Sequence, residues 1–378
     1  MKNIRIFGTR GLILAAALGV SVGFTSLAFA QISAHTPVIV NPDGKVTYLG
    51  TLGGSSSVAT EINDSGQVVG YSETASGATH AFITGPNGMG MTDLGTLGGT
   101  DSEAHGINAF GQVVGSSSHA FITGPNGVGM TDLGTLHETH SKALGINDSG
   151  QVVGYSGNIV SQAFITGPNG VAMTDLHTLG GRGSIAYGIN NAGWVVGTST
   201  TLDDSSHAFI TGPNGMGITD LGTLGGRNSF ASGINDAGRV AGTSETADVS
   251  FQSHAFITGP NGQGMTDLGT LGGNYSKASG INDAGQVVGW SETADVSFPF
   301  HAFITGPDGM GMTDVNSYAD LPDGIILTGA DGINNLGQVI AIAAIPEPAS
   351  YALMLAGLGL VGFMVKRKKL PDNTVARG

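Results

Sequence analysis

The sequence contains no cysteine and is poor in charged and aromatic side chains. Charged residues make up 11% and aromatic residues 6% of its 378 residues. The absence of cysteine excludes disulfide bonds, thiolate zinc sites and cysteine nucleophiles. Glycine is abundant, with 65 residues, but it has no Gly-X-Y period, which excludes a collagen-like chain. Because 40% of the residues are hydrophobic, the chain is able to bury a large core.

Basic residues are scarce in the central part of the chain. Between residues 31 and 345 there are 26 acidic and six basic residues, a net charge of −20. A surface with this charge repels phosphate backbones. The composition therefore excludes a nucleic-acid partner.

The N-terminus has the pattern of a secretory signal peptide. Three basic residues, Lys2, Arg5 and Arg10, precede an apolar stretch over residues 11–27. The residues that define the expected cleavage site are Ala28, Ala30 and Gln31. We predict that residues 1–30 are removed by signal peptidase; the alternative is a retained membrane anchor.

The C-terminus combines a proline-rich break, an apolar run and a basic cluster. Residues 349–365 are apolar and, as a helix, would extend about 25 Å, enough for a thin bilayer. We predict a transmembrane helix over 349–365, with the basic cluster on the cytoplasmic side and a short tail over 370–378. The residues of the break and the cluster are Pro346, Glu347, Pro348, Lys366, Arg367, Lys368 and Lys369.

This arrangement over residues 346–369 resembles a PEP-CTERM sorting signal. The resemblance implies recognition by an exosortase-type processing enzyme. It also implies that a membrane-anchored precursor is exported to the cell surface or extracellular matrix, often together with exopolysaccharide.

Two motifs alternate seven times through the rest of the chain. The first, His-Ala-Phe-Ile-Thr-Gly-Pro-Asn-Gly, has a degenerate copy at 37–44. Its other copies begin at His80, His119, Gln162, His207, His254 and His301. The second, Gly-Ile-Asn-x-x-Gly-x-Val, has Glu61 in place of its first glycine in one copy. Its isoleucines are Ile62, Ile107, Ile146, Ile189, Ile234, Ile281 and Ile333.

Both motifs are typical of β-hairpins. Short β-branched runs flank turns made of Gly-Pro-Asn-Gly or Asn-Asp-Ser-Gly. We expect the return strand of the first hairpin to read Met-Thr-Asp-Leu-Gly-Thr-Leu. Two hairpins in about 45 residues match the strand content of one propeller blade.

The spacing between copies varies at one junction only, the loop between Val-Val-Gly and the next His-Ala-Phe. This loop is 3, 7, 9, 11 and 11 residues long in successive copies, at 116–118, 155–161, 198–206, 243–253 and 290–300. All these loops are expected on one face of the repeat array. Because surface loops tolerate changes of length and carry function, a binding site is expected on that face.

Seven hairpin pairs predict an all-β, seven-bladed β-propeller over residues 31–345, since closure removes exposed sheet edges. A β-solenoid is the alternative, and it would need capping repeats. One phenylalanine per complete repeat is expected to fill the core between blades. These residues are Phe82, Phe121, Phe164, Phe209, Phe256 and Phe303.

The repeats at 37–343 resemble the HAF repeat of bacterial extracellular proteins. His-Ala-Phe stands at 80, 119, 207, 254 and 301, and Asp-Leu-Gly-Thr-Leu-Gly-Gly begins at 93, 220 and 267. The resemblance implies no known activity and transfers no catalytic residues.

Candidate sites are few, and for each a structural role is the stronger interpretation. The repeated histidines and the pair His137 and His140 beside Glu138 suggest metal binding, but without the spacing of a zinc motif. Four Asn-Asp pairs offer oxygen atoms to Ca²⁺, although such residues more often cap their own turns. These pairs are Asn63-Asp64, Asn147-Asp148, Asn235-Asp236 and Asn282-Asp283. We predict neither a metal site nor a cofactor.

A third set of carboxylates, one per repeat, is expected at strand edges. They are Asp93, Asp132, Asp175, Asp220, Asp267 and Asp314. Neither a G-x-S-x-G elbow nor a Walker-type motif occurs in the sequence, and the repeats are nearly uniform. We therefore expect no enzymatic activity and no catalytic residues.

The leading hypothesis is a secreted, surface-sorted structural or adhesive protein of the envelope or the exopolysaccharide matrix. Alternatively, the variable loops bind an extracellular glycan or protein, with Trp194 and Trp290 as candidates for stacking on sugars. A polysaccharide-acting enzyme is the third hypothesis.

Overall fold

A computed structural model describes residues 36–136, 139–247, 252–295 and 299–344. They all belong to the second of two units of the chain, Ser33–Gly378; the first, Met1–Ile32, lies outside the described residues. The predicted signal peptide, the sorting motif and the predicted transmembrane helix also lie outside them.

Twenty-eight strands form seven antiparallel sheets of four strands each. The described residues contain strands and short 3-10 turns but no α-helix. In every sheet the strand that ends at the repeated isoleucine lies innermost, and the other three follow outward. The predicted seven-bladed propeller is confirmed.

The four strand positions of the blades, from the axis outward, are as follows. The innermost strands are β3 (Gly53–Ile62), β7 (Glu103–Ile107), β11 (Ser141–Ile146), β15 (Gly180–Ile189), β19 (Gly225–Ile234), β23 (Gly272–Ile281) and β27 (Ile326–Ile333). The second strands are β4 (Val68–Thr74), β8 (Val113–Ser117), β12 (Val152–Ser156), β16 (Val195–Thr201), β20 (Val240–Thr246), β24 (Val287–Thr293) and β28 (Val339–Ala344). The third strands are β5 (Thr79–Thr84), β9 (His119–Thr123), β13 (Gln162–Thr166), β17 (Ser206–Thr211), β21 (Ser253–Thr258), β25 (Phe300–Thr305) and β1 (Thr36–Val40). The outermost strands are β6 (Met91–Asp93), β10 (Met130–Gly134), β14 (Met173–Asp175), β18 (Ile218–Asp220), β22 (Met265–Asp267), β26 (Met312–Asp314) and β2 (Val46–Tyr48).

Blades 1 to 6 follow the chain, and blade 7 joins its two ends. Strands β27 and β28 supply the inner half of blade 7, and β1 and β2 supply the outer half. Strand β1 pairs with β28 over five residues, with Thr36 opposite Ala343 and Val40 opposite Val339. The degenerate first motif therefore completes the last repeat, and a closed ring replaces the capping that a solenoid would need.

Each blade has two ends that differ in their connections. The turn face carries the turns between strands 1 and 2 and between strands 3 and 4. The loop face carries the variable loops between strands 2 and 3 and the connections to the next blade. This assignment follows from antiparallel pairing within every sheet, and it gathers all the variable loops on one face, as predicted.

The Gly-Pro-Asn-Gly segments form 3-10 turns on the turn face. In blade 1, Asn87 has a φ of 55° and Gly88 a φ of 72°. A Cβ atom on Gly88 would lie 2.7 Å from Leu49 of the neighbouring blade, so this position requires glycine for both conformation and packing. These 3-10 turns are Pro86–Gly88, Pro125–Gly127, Pro168–Gly170, Pro213–Gly215, Pro260–Gly262 and Pro307–Gly309. Another 3-10 turn, Val315–Ser317, follows β26 on the loop face.

The core lies between adjacent blades. All six predicted phenylalanines are fully buried, and each contacts apolar residues of the preceding blade; Phe209, for example, packs with Val153 and Ile165. In blade 7, the register puts Val38 at this position, and Leu327 is buried in the same cluster. Burial of each phenylalanine contributes roughly 1.5–3 kcal/mol.

The outermost strand is shorter than predicted. In most blades the regular strand has three residues and ends at the aspartate, and β10 alone extends to five residues. The N–H of the following leucine still donates to the third strand, as Leu94 does to the Ala81 carbonyl at 2.9 Å. The aspartate Oδ1 accepts the N–H of the residue two positions later, which is the Gly95 N–H at 2.7 Å in blade 1. This local turn interrupts the regular pairing. In blade 2, where Asp132 makes the same hydrogen bond, it forms a bulge within β10.

Candidate functional site

Seven buried asparagines form a closed ring of hydrogen bonds around the axis at the turn face. Each Oδ1 accepts the N–H four residues later in its own turn, as Asn235 does from Arg239 at 2.9 Å. Each Nδ2 donates to the backbone carbonyl of the next asparagine, over 3.0–3.1 Å. The asparagine of the second motif thus caps its own turn and also ties every blade to the next. The ring consists of Asn63, Asn108, Asn147, Asn190, Asn235, Asn282 and Asn334.

The residue after each asparagine forms a second, incomplete ring around a cavity of about 190 Å³. Six backbone N–H groups donate to the Oδ1 atom of the next blade. Ala109 interrupts this ring because it has no side-chain acceptor. The predicted Asn-Asp pairs therefore converge on the axis. Asn191 donates to Asp148 and Asp236.

These carboxylates are engaged with protein donors. Among the described residues, no group of three or more His, Asp or Glu side chains has metal-binding geometry.

A second axial cavity, of about 180 Å³, lies beyond the ring of isoleucines. The innermost strands are close together here because glycine precedes the isoleucine; a Cβ atom on Gly188 would lie 3.4 Å from the Cα atom of Gly233. Glu61 breaks this pattern and faces the cavity, together with Asp331 and Tyr187. Burial raises the pKa of Glu61 to about 7 and that of Asp331 to about 6.

His105 stands two positions before Ile107, as Tyr187 and Asp331 stand two positions before their isoleucines. Burial and the nearby Lys142 lower its pKa to about 4. Its Nε2 atom is buried without a hydrogen-bond partner and lies 3.6 Å from Oε2 of Glu103. Glu61 and Asp331 at the axis and the buried His105 in blade 2 are titratable groups that the repeat motif does not contain.

The loop face has a groove of about 440 Å³ between blades 2 and 3. It exists because these two blades are short at this face. Their second strands, β8 and β12, have five residues, whereas β4, β16, β20 and β24 have seven. A difference of two residues lowers the rim by about 7 Å. The innermost strands β7 and β11 are likewise shortened to five and six residues, against ten in blades 1, 4, 5 and 6.

Polar side chains of several types line this groove. The Lys142 ammonium donates to Oε2 of Glu103 at 3.1 Å, and both side chains are more than one-third exposed. Hydrogen bonds from the Thr79 N–H and the Thr100 hydroxyl hold the pKa of Asp101 below its usual value. The remaining lining residues include Tyr155, His140, Asn158, Ser116, Ser117, Ser118 and Ser161.

The histidines of the first motif each pair with an aspartate of the same blade. Nδ1 of His207 lies 2.8 Å from Oδ2 of Asp220, and the same pairing joins His80, His119, His254 and His301 to the aspartates of their own blades. Each pair links strand 3 to strand 4 of its blade, which gives the repeated histidine and aspartate a structural role. The repeated aspartates act at strand edges, as predicted.

The structure places the two tryptophans suggested for sugar stacking, and one histidine of the pair suggested for metal binding, in different surroundings. Trp194 packs against the apolar cluster between blades 4 and 5. Trp290 makes an edge-to-face contact with Phe300, with ring centroids 5.2 Å apart. Neither lines the groove. Of the pair suggested for metal binding, His140 borders the groove, whereas His137 and Glu138 lie outside the described residues.

The targeting residues Ala28, Ala30, Gln31, Pro346, Glu347, Pro348, Lys366, Arg367, Lys368 and Lys369 lie outside the described residues. Within residues 36–344, apart from the gaps given above, no helix has the length and hydropathy of a membrane span.

Comparison with known proteins identifies the sorting signal and the fold. A family model described as the PEP-CTERM protein-sorting motif matches residues 344–368. The motif predicted at the C-terminus is thereby confirmed, and it indicates an exported protein that an exosortase processes. No curated protein matches the sequence. The resemblance to HAF-repeat proteins remains a prediction.

Several solved structures are similar to this chain. An oligogalacturonate lyase from Vibrio parahaemolyticus has a TM-score of 0.50 and 11% identity, with 84% of this chain and 98% of that chain covered. A puromycin-hydrolysing peptidase from Mycobacterium tuberculosis has a TM-score of 0.50 and 12% identity, with 77% and 51% covered. A putative TolB from Agrobacterium tumefaciens has a TM-score of 0.48 and 12% identity, with 83% and 99% covered. At such identities the likeness concerns the fold alone.

The sequence interpretation identified the loop face but not the groove on it. The signal was present in the loop lengths, because the two shortest loops belong to adjacent repeats. The axial groups were missed, except that Glu61 was noted as a departure from the motif. An alignment of the residue two positions before each isoleucine would have found His105, Tyr187 and Asp331.

Proposed function

We propose that this protein is an exported, surface-sorted adhesive propeller without catalytic activity, and that its loop-face groove binds a neutral extracellular glycan. The observation that carries the proposal is the groove between blades 2 and 3, where two adjacent blades are shortened at the variable face. Uniform blades would leave a level rim. The shortening therefore opens a groove at the rim that a chain-like ligand can enter.

The lining of the groove favours a ligand rich in hydroxyl groups. Serine hydroxyls, the Tyr155 ring and polar side chains converge on one cavity, which is the mixture of hydrogen-bonding groups and apolar surface that small-molecule sites use. Lys142 is already paired with Glu103, so it offers little to an anionic polymer. The net charge of −20 in the central part of the chain also opposes anionic ligands.

The targeting signals support an extracellular role. The sorting motif indicates export and exosortase processing, and the predicted signal peptide agrees with it. We infer that the protein acts at the cell surface or in the exopolysaccharide matrix, where a glycan of the producing cell is available as ligand.

The test is binding of the purified full-length chain in detergent to a glycan array and to exopolysaccharide extracted from the producing cells. We expect retention on a neutral glycan, and a loss of affinity of about tenfold or more when Tyr155→Ala removes a contact in the groove. Tyr275→Ala is the matched control, because Tyr275 is exposed on the loop-face end of blade 6. Equal binding by the two variants, or no retention on any glycan, would refute the proposed site.

Mass spectrometry of the bound oligosaccharide separates adhesion from catalysis. An adhesive protein returns its ligand unchanged after prolonged incubation. Shortened or unsaturated products would contradict the non-catalytic part of the proposal and favour the polysaccharide-acting enzyme.

A further inference from the structure

Both ends of the described propeller lie at the loop face. Strand β28 starts beyond the asparagine turn of blade 7 on the turn face and runs to Ala344 on the opposite face. Strand β1 is antiparallel to it, so Thr36 is paired with Ala343 at the same end. The chain therefore leaves blade 7 from the face that carries the groove and the variable loops.

The sequence leaves only a short connection from this point to the predicted anchor. Residues 345–348 separate Ala344 from the apolar run that begins at residue 349. Five Cα–Cα steps span at most about 18 Å. A second strand of seven residues, such as β4, already spans about 20 Å between the two faces. The turn face is therefore too far from the exit point to lie on a bilayer that holds residues 349–365.

Exposed apolar side chains project from the variable loops on the exit side. Ile159 in the loop of blade 3 is 93% exposed, and Leu202 in the loop of blade 4 is 86% exposed. The turn face also has exposed apolar residues, among them Met216 and Val171. Exposure alone thus does not distinguish the faces, and the position of Ala344 does.

The charges near these loop tips select the kind of lipid surface. Asp203 and Asp204 follow Leu202 directly, and the Asp203 carboxylate accepts hydrogen bonds from Thr201 and Ser205. Carboxylates next to the apolar tip oppose anionic headgroups. A zwitterionic phospholipid surface accepts the apolar side chains without this repulsion.

We propose that the loop face is a membrane-contacting surface while the chain is anchored, with Ile159 and Leu202 in contact with a zwitterionic lipid surface. The short connection holds the loop-face end of blade 7 near the bilayer. Ile159 and Leu202 belong to blades 3 and 4, across the ring from blade 7, so they reach the lipid when the whole loop face lies flat on the surface. In this orientation the mouth of the groove between blades 2 and 3 faces the lipid. The proposal rests on the predicted anchor at 349–365 and does not require the glycan.

The absence of native cysteine allows a direct test with single-cysteine variants of the full-length chain in phosphatidylcholine vesicles. Leu202→Cys reports on the loop face of blade 4 and Met216→Cys on the turn face of the same blade. Ile159→Cys and Val171→Cys form the matching pair in blade 3. Each is labelled with an environment-sensitive fluorophore, and quenching by nitroxide-bearing lipid is compared with quenching by a water-soluble agent.

We expect lipid nitroxide to quench the loop-face probes at least about threefold more than the turn-face probes, because only the former reach the interface. Equal quenching on the two faces, or stronger quenching on the turn face, would overturn the proposal. Flotation of the unlabelled chain with the vesicles tests the anchor separately, and failure to float would also overturn it. Neither result bears on glycan binding by the groove, so the two proposals fail independently.

Discussion

A single substitution in the repeat motif places a titratable side chain at the propeller axis. Six of the seven blades have glycine before the axial isoleucine, and blade 1 has Glu61. Since a carboxylate loses hydration in this cavity, its neutral form is favoured there. The folded state therefore binds a proton more tightly than the unfolded chain, for which the ordinary pKa of 4.5 applies.

The pH dependence of stability follows from this difference. As pH rises from about 4.5 to about 7, the unfolded chain releases the Glu61 proton first, so the free energy of unfolding falls. We expect Glu61→Gln to leave stability unchanged at pH 4 and to raise it at pH 8 by at most about 3 kcal/mol. Urea unfolding at both pH values measures the effect. Asp323→Asn, at an exposed position, is the control, and a gain that is equal at pH 4 and pH 8 would contradict the electrostatic explanation.

The pH dependence of stability that His105 contributes has the opposite sign to that of Glu61. Its pKa falls from 6.5 to about 4 in the folded protein, so stability is complete above about pH 6.5 and is lost as pH falls toward 4. We expect His105→Gln to be more acid-tolerant than the unaltered protein, with a smaller change of urea midpoint between pH 7 and pH 4. An unchanged pH profile would exclude this role for the imidazole.

In the five blades that pair a histidine with an aspartate, we expect the hairpin of strands 3 and 4 to depend more on the aspartate than on the histidine. In blade 4, Asp220 accepts the Gly222 N–H at 2.7 Å as well as the His207 ring nitrogen. The backbone bond holds the turn that follows the aspartate. The histidine adds a partly exposed pairing that blade 3 replaces with Gln162, so the motif tolerates variation at that position.

Substitutions in blade 4 separate the two contributions. We expect Asp220→Ala to lower the free energy of unfolding by about 1–2 kcal/mol, since a backbone N–H and the imidazole lose their acceptor. His207→Gln should cost less than about 1 kcal/mol, because the pair is partly exposed. Denaturant unfolding of both single variants and of the double variant measures the coupling. Equal costs for the two single variants would contradict a separate contribution of the Asp220 backbone hydrogen bond, because loss of the His207–Asp220 contact would then account for the whole effect.

At the scale of the whole molecule, closure depends on residues far apart in sequence. Asn334 donates to the carbonyl of Asn63 across 271 positions of the chain, and β1 pairs with β28 in the same blade. Blade 7 is therefore the point where the ring closes. Without its outer half, the apolar residues of β27 and β28 lose one covering strand.

Deletion of residues 1–48 removes β1 and β2 and should abolish cooperative unfolding, because the sheet edge of β28 and its apolar side chains become exposed. Deletion of residues 1–30 is the matched control and should leave the unfolding transition intact. Tryptophan fluorescence in urea, together with light scattering, measures the outcome. A cooperative transition at the same midpoint in both truncated chains would contradict closure through blade 7.

The sequence by itself determined the number of blades, the content of each blade and the face that carries the variable loops. It could do so because strand alternation and turn chemistry are local, and because seven copies repeat the same local signal. The C-terminal motif likewise indicated export, because a sorting motif is a linear pattern of residues. The fully buried Phe82 and its equivalents followed from the same repetition.

Only the tertiary structure showed which differences between the repeats create a groove or change the environment of a side chain. The groove depends on two short blades being neighbours in space, and the raised pKa of Glu61 depends on a cavity that seven strands enclose together. The asparagine ring and the chain exit at the loop face depend on closure by residues more than 270 positions apart. These features arise from contacts between blades, which no single repeat encodes.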